Sequence, residues 1–111
     1  MLKIKFYVNQ KAQAMTLSGH AGAAAFGKDL ICAAASMLAC TGAQSLLQLH
    51  KEGVLQQTPR VVLSPGAAQL EIFESCPAAE AVFFTLRTGC SLLASKYPKY
   101  VHLELTGEEM K

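Results

Sequence analysis

The chain has 111 residues, 51% of them hydrophobic, a net charge of only +2 and no tryptophan. That length and apolar content suit one domain spanning residues 1–111 with one core, and they exclude a disordered chain. The ten Lys and Arg are scattered without forming a basic stripe, so direct nucleic-acid binding is not expected.

Residues 2–8 alternate, with Leu2, Ile4, Phe6 and Val8 on one face, which predicts a half-buried strand. A second short strand is expected around Ala14–Ser18. The segment 19–27 (Gly-His-Ala-Gly-Ala-Ala-Ala-Phe-Gly) has three glycines and no alternation, and it reads as a mobile loop. Asp29 then suits an N-cap, since its carboxylate can accept first-turn N–H groups. A helix is predicted from about Leu30 to Leu49, with Lys51 near its C-terminal dipole and Gly53 at its exit.

A hairpin follows, with strands at Arg60–Leu63 and Ala68–Glu74 joined by Ser64-Pro65-Gly66. The second helix is expected over Ala78–Lys96, its apolar positions Ala79, Val82, Phe83, Leu86, Cys90, Leu93 and Tyr97 spaced by threes and fours, with Pro98 as the stop. The last strand runs near Tyr100–Thr106, with Val101, Leu103 and Leu105 facing inward. The order β-β-α-β-β-α-β implies an α+β domain, a mainly antiparallel sheet with two packed helices.

Leu30 to His50 contains no Asp, Glu, Lys or Arg and is long enough to span a bilayer. Its Ser36, Thr41, Gln44, Ser45 and Gln48, and its abundant alanine, fit the central helix of a soluble domain better, so no membrane partner is expected. Residues 1–12 carry a strand pattern and no export signal. The four cysteines, Cys32, Cys40, Cys76 and Cys90, form no C-x-x-C pair and have no His pair at zinc-site spacing. Free thiols in a reducing cytoplasm are expected, with no metal and no cofactor. Cys40, Cys76 and Cys90 read as small buried hydrophobes.

Cys32 is different. With Asp29 as cap it occupies the first helical turn, where unpartnered N–H groups and the positive end of the dipole favour a thiolate and can hold an oxyanion. Thiol chemistry on an amide also needs a general acid, most simply an imidazole. His50 lies at the far end of the predicted helix, about 27 Å away at 1.5 Å per residue. His102 sits on the polar register of the last strand. His20, between Gly19 and Gly22 in the loop entering the cysteine helix, is the best candidate. Structural roles for both residues remain open at this level, since a lone Cys at a helix start is more often packing than catalysis.

Ser18-Gly19-His20-Ala21-Gly22, followed by Gly27-Lys28-Asp29-Leu30-Ile31-Cys32-Ala33-Ala34-Ala35-Ser36, resembles the paired signature of the Prp family of bacterial ribosomal-processing cysteine proteases. That signature is a G-H-A loop and then G-x-D-[IL]-[VI]-C-A-A-[VA]-S. The resemblance implies His20 and Cys32 as the catalytic pair and a moving substrate loop containing Gly19, Gly22 and Gly27. It implies a homodimer, and as partner a precursor of large-subunit ribosomal protein twenty-seven carrying a short apolar N-terminal extension. Asp29 and Ser36 match the remaining polar positions. Asp29 either caps the helix or orients His20, and Ser36, four residues after Cys32, shares its helix face. Two other readings stay open: a non-enzymatic ribosome-associated module using the same Gly-rich loop, and an acyl transferase sharing the thioester intermediate.

Overall fold

The structure is a computed structural model that describes residues 1–19, 25–64 and 66–107, with side chains from residue 30 onward in the second stretch. Its elements are β1 (Leu2–Val8), β2 (Gln13–Ser18), α1 (Ala25–Lys51), β3 (Arg60–Ser64), β4 (Ala67–Ile72), α2 (Pro77–Lys96) and β5 (Val101–Gly107). The five strands form one sheet in the order β3-β4-β2-β1-β5. All neighbours are antiparallel except β1 and β5, which run parallel with Leu2 opposite Val101 and Phe6 opposite Leu105. The expected α+β class and element order are both present.

One face of the sheet is apolar because β1, β2 and the end of β4 alternate. Leu2, Ile4 and Phe6 of β1, Met15 and Leu17 of β2, Leu70 and Ile72 of β4, and Val101 of β5 are buried. Lys3, Lys5, Ser18, His102 and Glu104 lie on the opposite, solvated face. The helices cover the apolar face side by side. From α1 come Ile31, Ala35, Ala39, Ala43 and Leu46, and from α2 Ala79, Phe83, Leu86, Cys90 and Leu93. Both sets step by three or four residues, one face of a helix. A buried Phe83 or Leu46 stabilises the fold by roughly 2 kcal/mol each.

Small residues set the helix separation. A Cβ on Gly42 of α1 would sit 2.5 Å from Leu86 Cδ1 and 3.0 Å from Leu70 Cδ1, and one on Gly89 of α2 would sit 2.8 Å from Leu38 Cδ2. Burial accounts for one face of α1, while Leu30, Met37 and Leu47 are apolar and exposed. The helix meets the length and hydropathy of a membrane span over Leu30–Lys51, yet its alanine stripe is consumed by packing on α2 and β4.

The helix ends differ in how closely they meet expectation. At the C-terminus of α1, Gly53 has φ +81 and donates its N–H to His50 O at 3.0 Å, while Val54 donates to Leu49 O at 2.9 Å. That double return is a Schellman motif, which a left-handed glycine makes possible. Helix α2 starts at Pro77 and stops at Lys96, matching the prolines at 77 and 98. The N-terminus of α1 departs from expectation. The helix begins at Ala25, so Asp29 is its fifth residue and does not cap it. Helix propensity explains the shift, because Ala25, Phe26 and Lys28 continue the ladder at small cost and Gly27 alone does not break it.

Residues 25–27, expected in the loop, therefore belong to α1. His20 and Gly22 lie outside the described residues, as does Pro65 of the β3–β4 turn. A second departure concerns β5. Val101 is buried and Leu103 half-buried, but Leu105 is 52% exposed instead of facing the core. As an edge strand, β5 has a neighbour on one side only, so the end of its apolar register outruns the cover.

Candidate active site

Cys32 is half-buried and lines a cavity of about 300 Å³ between the N-terminal half of α1 and one end of the sheet. Ser36 and Cys40 line the same cavity. Residues at i, i+4 and i+8 fall on one helix face, so the three form a polar and sulfur-bearing stripe along the wall. Leu2 and Leu17 form the apolar floor, and Leu63, Ser64, Gly66 and Ala67 of the β3–β4 hairpin form the opposite rim.

Gly19 closes the end of this cavity. Its N–H donates to Gly66 O at 3.0 Å, extending the β2–β4 ladder past the end of β2. Its φ of +90, and a Cβ position only 2.6 Å from Met1 O, admit glycine and little else. The chain thus leaves the sheet at the cavity, immediately before His20.

The position of Cys32 corrects the first-turn expectation. It is the eighth residue of α1, so its own N–H has an intrahelical acceptor, and the terminal dipole falls off within the first turn. The helix terminus therefore gives this thiol no first-turn activation. The side chains of Asp29 and residues 25–28 lie outside the described residues, and with them the expected pairing of Asp29 with His20. Ser36 is exposed at the cavity wall.

The other histidines occupy the places expected of them. His50 closes the exit of α1: its Nδ1 lies 3.0 Å from Leu55 O and its Nε2 3.3 Å from Thr58 Oγ1. The tautomer with a proton on Nδ1 satisfies both, donating to the carbonyl and accepting from the hydroxyl. His102 is on the solvated sheet face, its Nε2 3.9 Å from Glu104 Oε1. Neither lines the Cys32 cavity.

The remaining thiols divide. Cys76 and Cys90 are buried as expected, and burial pushes the Cys90 thiol up to about 11. Cys40 corrects the expectation, being exposed in the cavity. Its spacing of eight from Cys32 carried that information, but only once the shared helix face is known to be the open one. The hairpin rim was not legible at all, because its contact with α1 is set by sheet order. Among the described residues, no three His, Cys, Asp or Glu side chains come together in a way that could hold a metal ion.

Comparison with known proteins agrees with this geometry. The family described as cysteine protease Prp matches residues 1–102. No curated protein sequence matches the chain. Among solved structures, SMU.848 from Streptococcus mutans is similar with a TM-score of 0.73 at 20% identity, covering 97% of this chain and 99% of that one. An essential ribosomal processing protease Prp from Staphylococcus aureus, in complex with a covalently linked product peptide, gives 0.71 at 18% identity, covering 95% and 99%. The same protease with a substrate peptide gives 0.71 at 17%, with the same coverage. At these identities the structures establish the shared fold. The family match over nearly the whole chain, with a cysteine on the wall of a cavity at the end of the sheet, makes this chain a member of the cysteine protease Prp family.

Proposed function

We propose that this cysteine protease removes the short apolar N-terminal extension from a precursor of large-subunit ribosomal protein twenty-seven, with Cys32 as nucleophile and His20 as general acid and base. The observation that carries this reading is the Cys32 cavity, with an apolar floor from Leu2 and Leu17 and an end formed by Gly19, the residue before His20. The Staphylococcus aureus relative is a ribosomal processing protease with a peptide bound, which supports a ribosomal protein as substrate. An apolar extension in extended form suits a groove whose rim is a β-hairpin.

In the proposed reaction the Cys32 sulfur bonds to the scissile carbonyl carbon while its proton goes to His20, which passes it to the leaving amine as the C–N bond breaks. Water then attacks the thioester and gives one proton to His20; the C–S bond breaks, the carboxyl product leaves, and His20 returns the proton to the sulfur. Asp29, no longer available as a cap, is assigned to positioning His20. Ser36 is assigned a hydrogen bond to the sulfur from one turn along α1. The enzyme works in the cytoplasm as a homodimer, with no direct contact to nucleic acid.

A synthetic peptide spanning the extension junction tests the reading. Wild type should cleave it at one bond. Cys32→Ala and His20→Ala should each lower turnover by at least about 10³-fold with an unchanged circular-dichroism spectrum, while His102→Ala keeps wild-type turnover. Loss in His102→Ala with retention in His20→Ala would assign the base to the wrong imidazole. No cleavage by wild type would exclude this substrate. Asp29→Asn should lower kcat more than it raises KM and shift the pH profile of kcat/KM, which a merely structural role would not do.

A further inference from the structure

The Cys32 cavity has a far end, and its walls are unusually plain there. On α1 the wall runs through Cys32, Ser36, Ala39 and Cys40, and on the hairpin side through Gly66, Ala67 and Ala68. Both walls stop at the same level. Leu70, two residues past Ala68 on β4, is fully buried, and a Cβ on Gly42 of α1 would lie 3.0 Å from its Cδ1. Leu70 therefore closes the cavity just beyond Cys40.

Strand register builds the floor of that end. Leu63 of β3 lies opposite Ala68 of β4, and Ala68 lies opposite Leu17 of β2. Cross-strand partners share a face of the sheet, and this is the face that Leu17 and Leu70 turn toward the helices. The row reads large, small, large, with the Ala68 methyl group at the bottom of a notch between two leucines. Across from it stand Ala39 and Cys40, again small. Leu63 is 47% exposed, so the notch opens on the side of the edge strand. Among the described residues, none that lines the cavity is charged. A charged group entering it would lose water and gain no partner, whereas an apolar side chain would lose nothing.

The notch lies at a defined distance from the sulfur. Cys40 is two helical turns from Cys32, about 12 Å of axis at 1.5 Å per residue. An extended peptide advances about 3.3 Å per residue, so one laid along α1 from Cys32 reaches the notch after about three or four residues. Successive side chains of such a peptide point to opposite sides, so only one of those two residues can face the notch.

We propose that this notch receives one apolar side chain of the substrate, at the third or fourth residue before the cleaved bond, and that Cys40 sets the size of the side chain admitted. The inference rests on the peptidase reaction proposed above, whose apolar extension precedes that bond, and adds to it a residue that selects the substrate. A thiol carries one heavy atom beyond its β-carbon, so any longer side chain at position 40 would occupy the space left for the peptide.

Junction peptides carrying Leu, Ala or Glu at the third and then at the fourth position before the bond test this. Wild type should favour Leu over Ala by about tenfold or more in kcat/KM at one of the two positions, and should reject Glu there most strongly. Cys40→Phe, at an exposed residue, should lower that Leu-to-Ala ratio at least about tenfold with unchanged circular dichroism, and Cys40→Leu should act in the same direction if the larger ring disturbs the fold. A ratio left at its wild-type value in both variants would overturn the proposal even where turnover falls, because a merely structural change slows both peptides alike. Equal discrimination at the two positions, or at neither, would overturn it as well. Calorimetry with Cys32→Ala separates the notch from the reaction. That variant should bind the Leu peptide at least about tenfold more tightly than the Ala peptide, and adding Cys40→Phe should remove the margin. No cleavage by wild type with this margin intact would strike the proposed reaction and leave the notch. Cleavage of the Leu and Ala peptides at equal rates would do the reverse.

Discussion

The two helices share a layer but do different work. Helix α2 has proline at both limits, and it buries Ala79, Phe83, Leu86, Cys90 and Leu93 in the core. Helix α1 is longer, bounded at one end by a glycine motif and at the other only by propensity. It buries mainly alanine and presents Cys32, Ser36 and Cys40 to a cavity. The contrast shows where each kind of residue is useful. Large side chains on α2 supply burial, and small ones on α1 leave room for the cavity beside the backbone that carries Cys32.

The largest expected difference between the helices is in thiol reactivity. A brief iodoacetamide pulse at neutral pH, mapped by mass spectrometry, should label Cys32 first and Cys40 second. Cys76 and Cys90 should lag by about a hundredfold or more, because a buried thiol reacts only through opening of the fold. Labelling of Cys90 ahead of Cys32 would reverse the assignment of roles.

Stability should divide the other way. Phe83→Ala on α2 should cost about 3–5 kcal/mol in urea unfolding, through lost burial and a cavity. Met37→Ala on α1, at a residue 66% exposed, should stay within about 0.5 kcal/mol. Comparable losses at both sites would mean that α1 is covered on its outer flank.

Cys90 links the packing role to pH. Its thiol is pushed up to about 11 in the folded chain from 9.0, so the unfolded state gives up its proton first. The folded state therefore has its full stability below about pH 9, and loses stability as pH rises from there toward 11, by up to about 2 kcal/mol. Cys90→Ala should lower stability at every pH but flatten this alkaline slope, and an unchanged slope would assign it to other groups.

The smallest effect is expected where the helices touch. Gly42→Ala gains about 1 kcal/mol of helix propensity, but its methyl group would meet Leu86 and Leu70. Overpacking of a core costs about 1–3 kcal/mol, so a net loss near 1 kcal/mol is expected by thermal or chemical unfolding. A net gain would show that Leu86 relaxes freely and that the crossing is loose.

The sequence by itself determined the element order, the half-buried strands and the core face of α2, because alternation and three-to-four spacing report local periodicity directly. It determined the helix limits at Pro98 and Gly53, where a proline or a left-handed glycine sets them. It also carried the pairing of a G-H-A loop with the Asp29–Ser36 segment, since those motifs are continuous in the chain. The tertiary structure decided the rest. Ala25 begins α1 because nothing in the local sequence ends it sooner, and this moved Asp29 off the cap. Cys40 is open and Leu105 half-uncovered because exposure depends on which neighbours a face meets. The rim of the Cys32 cavity comes from a hairpin about thirty residues away, and only the strand order β3-β4-β2-β1-β5 brings it there. Such contacts arise from the packing of distant segments, for which periodicity in the chain carries no signal.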